Sequence, residues 1–236
     1  MTKSALKLKV LASLLLVFAG NASATIFTNV PGGATTGLPF VSFGNAANPS
    51  SDSPKVGEVF SLISDATLSS FSFYAVGNTT ASLQLNVAQW NPGTNAKNQA
   101  VNTVGSSLLT TTGSAIETFN ATSGFTTISF DNLNLNLLSN INYIAYLTSN
   151  DPLVTGIQLS RTQTTADPSG FGVGNGFLST VPGTGWQLPF NGNGFLSLQY
   201  TAVTAAPVPE ADSYAMLVLG LGFMGLVARR SKSQFF

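Results

Sequence analysis

The stretch SFSFYAVGNTTASLQLNV, residues 70–87, decides the fold class of this chain. Its apolar residues alternate with polar ones: Phe71 and Phe73 share one side of an extended strand, and Leu83 and Leu85 repeat the pattern further on. A period of two is typical of a half-buried β-strand. The pattern therefore predicts two strands, and the turn residues Gly-Asn-Thr-Thr between them predict a hairpin.

Similar segments recur through the middle of the chain, and none shows the 3.6-residue apolar period of an amphipathic helix. Gly, Asn, Ser, Thr and Pro separate them, as expected for loops between strands. On the order of eight to eleven short strands of this kind predict an all-β domain, an antiparallel β-sandwich with the jelly roll as one variant. The segment at 38–43 lies between loop-like residues and is expected at a sheet edge. The other segments lie at 125–130, 141–147, 153–159 and 194–203.

The N-terminus carries the three marks of a secretory signal peptide. Three lysines precede an apolar stretch at 10–19, and Ala22-Ser-Ala24 supplies small residues for cleavage. We therefore expect a signal peptide at 1–24, which signal peptidase removes so that the mature chain begins at Thr25. A first transmembrane helix is the alternative, but the apolar stretch is short and no stop-transfer pattern follows it.

Residues 207–236 predict a segment that anchors the chain in a membrane temporarily. As a helix, an apolar run of about 15 residues rises about 22 Å, less than the roughly 30 Å of a bilayer core. The positive-inside rule keeps a basic end on the cytoplasmic side, which leaves the preceding domain outside. The tail consists of a short motif, Pro209-Glu210-Ala211, an uncharged membrane helix predicted at 214–228, and the basic end Arg229-Arg230.

This order of motif, apolar helix and basic end resembles the PEP-CTERM sorting signal of Gram-negative bacteria. Pro209 and Glu210 match the first two motif positions, and Ala211 stands where the family usually has proline. The resemblance implies that the inner membrane holds the tail transiently, that an exosortase-type membrane protease cuts near the motif, and that the protein then reaches the cell surface or the extracellular space. It also implies an association with exopolysaccharide, in an extracellular matrix or biofilm. The alternative is an ordinary anchor that is never cut.

Composition limits the chemistry of residues 25–206, the predicted sandwich domain. This part has three basic residues and seven acidic ones, a net charge of −4, so it cannot neutralise several phosphates and we expect no nucleic-acid binding. The chain contains no cysteine and no histidine. Histidine is the commonest general base and metal ligand. We therefore expect a non-enzymatic protein without a cofactor or a catalytic metal.

Two tryptophans are the candidate binding residues. Trp90 at a strand end and Trp186 in a loop could stack on a sugar ring, which would make the domain a lectin-like carbohydrate-binding module. The alternative is that both rings cap the core. A carbohydrate-active hydrolase is a further alternative, because Glu58 and Glu117 could form an acid and base pair. Their surroundings, however, predict ordinary solvated strand positions.

Two other properties depend on how the strands assemble. A structural calcium ion would need the fold to bring distant aspartates together, since no continuous binding loop occurs. Association with itself or with a matrix is a further hypothesis, because strands rich in Thr, Asn and Ser lack the charges that protect sheet edges. The aspartates are Asp65, Asp131, Asp151 and Asp167.

Overall fold

The computed structural model describes residues 24–30, 38–44, 52–91, 104–112, 115–161, 175–179, 186, 198–205 and 220–221. This part of the chain contains thirteen β-strands, more than the sequence predicts. They are β1 (Ala24–Thr28), β2 (Leu38–Phe43), β3 (Lys55–Ser61), β4 (Ala66–Val76), β5 (Gln84–Trp90), β6 (Val104–Thr110), β7 (Ile116–Asn120), β8 (Phe125–Phe130), β9 (Leu135–Leu137), β10 (Asn142–Thr148), β11 (Ile157–Arg161), β12 (Asn175–Ser179) and β13 (Tyr200–Ala205).

Strand β4 is the centre of an eight-stranded sheet. One of its edges pairs with β13 and β11, and the other pairs with β8 and β9. The order is β1-β13-β4-β11-β2, with β7 added beside β8. As predicted, the side chains of β4 alternate between buried and half-buried. The register with β13 shifts at Ser69, and this bulge lets Leu68 and Phe71 face the same side although they are three residues apart.

Strand β10 is the centre of a five-stranded sheet with the order β12-β3-β10-β5-β6. Its five residues from Tyr143 to Leu147 are all buried. Tyr143 and Ala145 belong to the main core, whereas Ile144 and Tyr146 belong to a second cluster on the opposite face. Both faces of this sheet are therefore covered along β10, which explains a strand apolar at successive positions.

The two sheets pack face to face around one main core. Phe71 of β4 lies 5.8 Å, centroid to centroid, from Phe60 of β3 in the other sheet, and it stacks on Tyr200 of β13 at 5.6 Å. All pairings between the named strands are antiparallel. The described residues thus confirm an all-β fold of two antiparallel sheets. The jelly-roll variant stays a prediction.

The predicted hairpin at 70–87 is wrong, because β4 and β5 lie in different sheets. After β4, the chain stays with β8: Gly77 donates its N–H to the Gly124 carbonyl at 2.8 Å, and Thr79 donates its N–H to Thr126 Oγ1 at 3.1 Å. It then crosses to the other sheet. Among the described residues, β2 ends the strand order of its sheet, as predicted for 38–43, and Ser53 adds an isolated parallel bridge at Phe43.

The chain separates into two units, and all thirteen strands belong to Ser23–Ala206. The other unit consists of Met1–Ala22 and Pro207–Phe236. Most of it lies outside the described residues; within the predicted membrane helix at 214–228, only Gly220 and Leu221 are described, and both are helical. Among the described residues, no helix has both the length and the apolar character needed to cross a membrane.

Candidate functional site

The two tryptophans lie together on the outer face of the five-stranded sheet. Trp90 ends β5 and Trp186 comes from the segment between β12 and β13. Their ring centroids are 6.2 Å apart with an angle of 78° between the planes, and Trp186 lies 5.2 Å from the ring of Tyr146 on β10 at 71°. Such edge-to-face pairs contribute about 0.5–1.5 kcal/mol each beyond their burial. We call Trp90, Tyr146 and Trp186 the aromatic cluster.

The aromatic cluster is closed rather than open. Both indoles are only 6% exposed, so neither ring offers a free face for stacking on a sugar. At the edge of the cluster, Lys55 Nζ lies 5.8 Å from the Tyr146 ring centroid, within cation–π range. Burial raises the pKa of the Tyr146 phenol, which keeps it neutral. Carbohydrate binding by Trp90 and Trp186 stays a prediction.

Glu58 is fully buried, so the expectation of a solvated position is wrong for this residue. It shares one face of β3 with Val56 and Phe60, which belong to the main core. Its carboxylate oxygen Oε2 accepts the backbone N–H of Leu198 at 2.8 Å. A buried N–H needs a partner, and Glu58 supplies one where the chain enters β13. The described contact is therefore structural.

Further buried polar side chains form hydrogen bonds with residues 198–200, where the chain enters β13. Asn29 donates its amide Nδ2 to the Leu198 carbonyl at 2.6 Å and accepts the Tyr200 N–H at 2.8 Å. Ser160 donates its hydroxyl to Gln199 Oε1 at 2.6 Å, and Gln199 donates its N–H to the Ser160 carbonyl at 2.8 Å. Periodicity does not reveal this network. The one available signal is the presence of isolated polar residues within otherwise apolar segments.

Glu117 lies on β7 and is half-buried. Both carboxylate oxygens accept the Ala81 N–H, at 2.9 and 3.0 Å. Desolvation raises the pKa of Glu117, and the hydrogen bond from Ala81 partly opposes that rise. Glu58 and Glu117 thus belong to strands of different sheets, and each binds a backbone N–H. This is not the arrangement of two carboxylates flanking one bond.

The aspartates are also separate. Asp65 accepts the Ser139 N–H at 2.7 Å, and this hydrogen bonding lowers the pKa of Asp65. Asp151 accepts the Leu153 N–H at 2.9 Å within its own loop. Within the described ranges, no three acidic groups lie close enough to hold a metal ion. Asp167 lies outside those ranges.

The residues predicted for processing fall mostly outside the described chain. Ala24 and Thr25 belong to β1, where they pair with Ala205 and Thr204 of β13. The predicted residues without a described position are Ala22, Pro209, Glu210, Ala211, Arg229 and Arg230.

Comparison with known proteins finds a sorting motif in the tail of the chain. Residues 207–232 match the model of the PEP-CTERM protein-sorting motif. No curated protein matches the sequence.

Similar solved structures include two of a clostridial protein. One contains the cysteine protease and lectin-like domains of Cwp84, a surface layer associated protein of Clostridium difficile, with 14% identity, a TM-score of 0.38, and coverage of 65% of this chain and 32% of that one. The other is a variant of the clostridial cysteine protease Cwp84 after propeptide cleavage, with 11% identity, a TM-score of 0.42, and coverage of 78% and 40%. The chain spans less than half of either.

Proposed function

We propose that this chain, whose residues 207–232 carry a PEP-CTERM protein-sorting motif, is an exported protein that an exosortase-type membrane protease sorts to the cell surface. The motif match is the observation that carries the proposal. Signal peptidase removes residues 1–24, and the predicted helix at 214–228 holds the chain in the inner membrane until the second cut. We also propose that the strands of the sandwich are arranged as a jelly roll.

Mass spectrometry of the surface or extracellular protein tests this proposal. The expected mature form begins at Thr25 and ends before Tyr214. Deletion of 207–236 should leave the protein unsorted, while Asp131→Asn, an exposed change in the sandwich, should not alter sorting. A surface form that keeps 214–236, or intact chain in the cytosol, would contradict the proposal.

We further propose that the delivered domain has a structural role in an exopolysaccharide-containing matrix or biofilm rather than an enzymatic one. The support is chemical: the chain has no histidine or cysteine, and its two domain glutamates each bind a backbone N–H. Purified mature protein should release no product from matrix polysaccharide. Turnover that disappears in Glu117→Gln but persists in Asp131→Asn would overturn the non-enzymatic part.

The second candidate function is carbohydrate binding at the aromatic cluster. It is favoured by the meeting of two indoles and a phenol beside Lys55 on one outer face. A glycan array with wild type, Trp90→Ala and Trp186→Ala tests it, with Phe119→Ala as the control for loss of an aromatic ring elsewhere. Specific binding that either tryptophan variant loses and the control keeps supports the lectin-like function. Equal signals in all four proteins reject it.

A further inference from the structure

The first and last residues of the sandwich domain that the structure describes in strands lie side by side. Ala24, which begins β1, pairs with Ala205, which ends β13. Ala205 also pairs with Thr67 at the start of β4, and the neighbouring Ala66 pairs with Leu137 of β9. The chain that follows Ala205 therefore departs from one defined end of the sandwich. We call this end, with its loops 62–65 and 138–141, the exit end.

The two loops of the exit end are joined and present apolar side chains to solvent. Asn140 donates its N–H to the Leu62 carbonyl at 3.0 Å, and Ser139 donates its N–H to Asp65 at 2.7 Å. On these linked loops, Ile63 is 83% exposed and Leu138 is 56% exposed. Single exposed apolar residues are common on protein surfaces, but two on hydrogen-bonded loops at one end of the domain offer a small apolar contact surface.

The length of the connecting chain suggests what covers this surface. Residues 206–213 separate Ala205 from the predicted membrane helix at 214–228. Eight residues and their flanking bonds span at most about 30 Å when fully extended. Before the second cut, the exit end therefore stays within about one bilayer thickness of the membrane surface, where tethering makes even weak contacts effective.

We propose that the exit end is a bilayer-facing surface, on which Ile63 and Leu138 insert into the lipid interface while the tail anchors the chain; this rests on the proposed sorting function. The loops 62–65 and 138–141 contain one charged residue, Asp65, and no lysine or arginine. Binding is therefore driven by apolar insertion rather than by attraction to anionic lipids.

The absence of cysteine makes a clean test available, because a single introduced cysteine is the only labelling site. Ile63→Cys reports on the exit end. Leu153→Cys is a matched control, since Leu153 is 85% exposed. It lies at the opposite end: β10 begins at the exit end with Asn142 paired to Ser61, and Leu153 follows beyond its last residue, Thr148.

Each variant begins at Thr25 and keeps residues 207–236, which is the form expected between the two cuts. It is labelled with an environment-sensitive nitrobenzoxadiazole dye and reconstituted into vesicles of phosphatidylethanolamine and phosphatidylglycerol. Flotation first shows whether the chain is anchored. The label at 63 should then show blue-shifted emission and several-fold stronger quenching by spin-labelled lipid than the label at 153. Replacing phosphatidylglycerol with phosphatidylcholine should leave this difference in place.

Each other outcome overturns the inference. A chain that floats but shows equal quenching at 63 and 153 refutes the bilayer-facing surface and leaves the sorting proposal intact. A chain that does not float refutes the anchoring step and the inference with it. A blue shift at 63 that needs no lipid and grows with protein concentration assigns the surface to a second copy of the chain instead.

Discussion

Truncation of Phe71 to alanine should remove a central part of the main core, including a ring contact between the two sheets. Phe71 is fully buried on β4, and its ring lies 5.0 Å from Phe73, 5.6 Å from Tyr200 and 5.8 Å from Phe60, centroid to centroid. Deleting a buried phenyl ring costs about 3–5 kcal/mol from lost transfer energy and the remaining cavity. That is a large share of the roughly 5–15 kcal/mol that stabilises an ordinary domain.

Urea denaturation of the mature secreted protein, followed by far-ultraviolet circular dichroism, measures this loss. Phe119→Ala is the matched control, because Phe119 is 41% exposed on β7 and its truncation should change the free energy of unfolding by no more than about 0.5 kcal/mol. Phe71→Leu should fall between the two, which keeps the test valid if Phe71→Ala does not fold. A double-mutant cycle with Phe60→Ala should give a coupling of about 0.5–1.5 kcal/mol. Equal losses in Phe71→Ala and Phe119→Ala would refute the central role of β4.

Three other predictions follow from local geometry. Gly57→Ala should lower the free energy of unfolding by about 1–3 kcal/mol, because its Cβ would lie 2.5 Å from a Cβ and 2.6 Å from a carbonyl oxygen of β10; Gly105→Ala, whose nearest contact is 3.9 Å, should be neutral in the same urea assay. Because burial raises the folded-state pKa of Glu117, the folded protein binds this proton more tightly than the unfolded chain does, so stability should fall as pH rises above the ordinary value of 4.5. Glu117→Gln should flatten that fall, and an unchanged slope would contradict it. Tryptophan emission should be blue-shifted and weakly quenched by acrylamide, and Trp186→Phe should increase quenching of Trp90; emission typical of free indole would disprove their burial.

The fold class could be predicted because the alternation of apolar and polar residues within one strand indicates which of its sides is buried. Phe71 and Phe73 alternate with serines, and the structure buries the phenylalanines as the period of two requires. No local pattern of this kind identifies the neighbouring strand in the sheet. Gly77 and its neighbours have the composition of a hairpin turn, yet β4 and β5 belong to different sheets because β8 and β13 already occupy both edges of β4.

The sites show the same limit. Trp90 and Trp186 could be selected from the sequence as unusual, but their contact depends on the fold, which places Trp186 against the outer face of the five-stranded sheet. The apolar run in β10 was a readable signal that this face is covered. For Glu58 the sequence is misleading, because a lone carboxylate in a strand normally predicts exposure. Its burial depends on Leu198, which is 140 residues away in the chain.

The position of β13 has a consequence for how the protein is made. This last strand lies between β1, the first, and β4, so the larger sheet keeps a gap until residue 205 is available. Contacts between the two extremes of a chain carry a high loop-closure cost and form slowly. A nascent chain that cannot complete its sheet stays unfolded for longer, which favours export in an extended form. A truncation before β13 should yield a species prone to aggregation rather than a smaller sandwich.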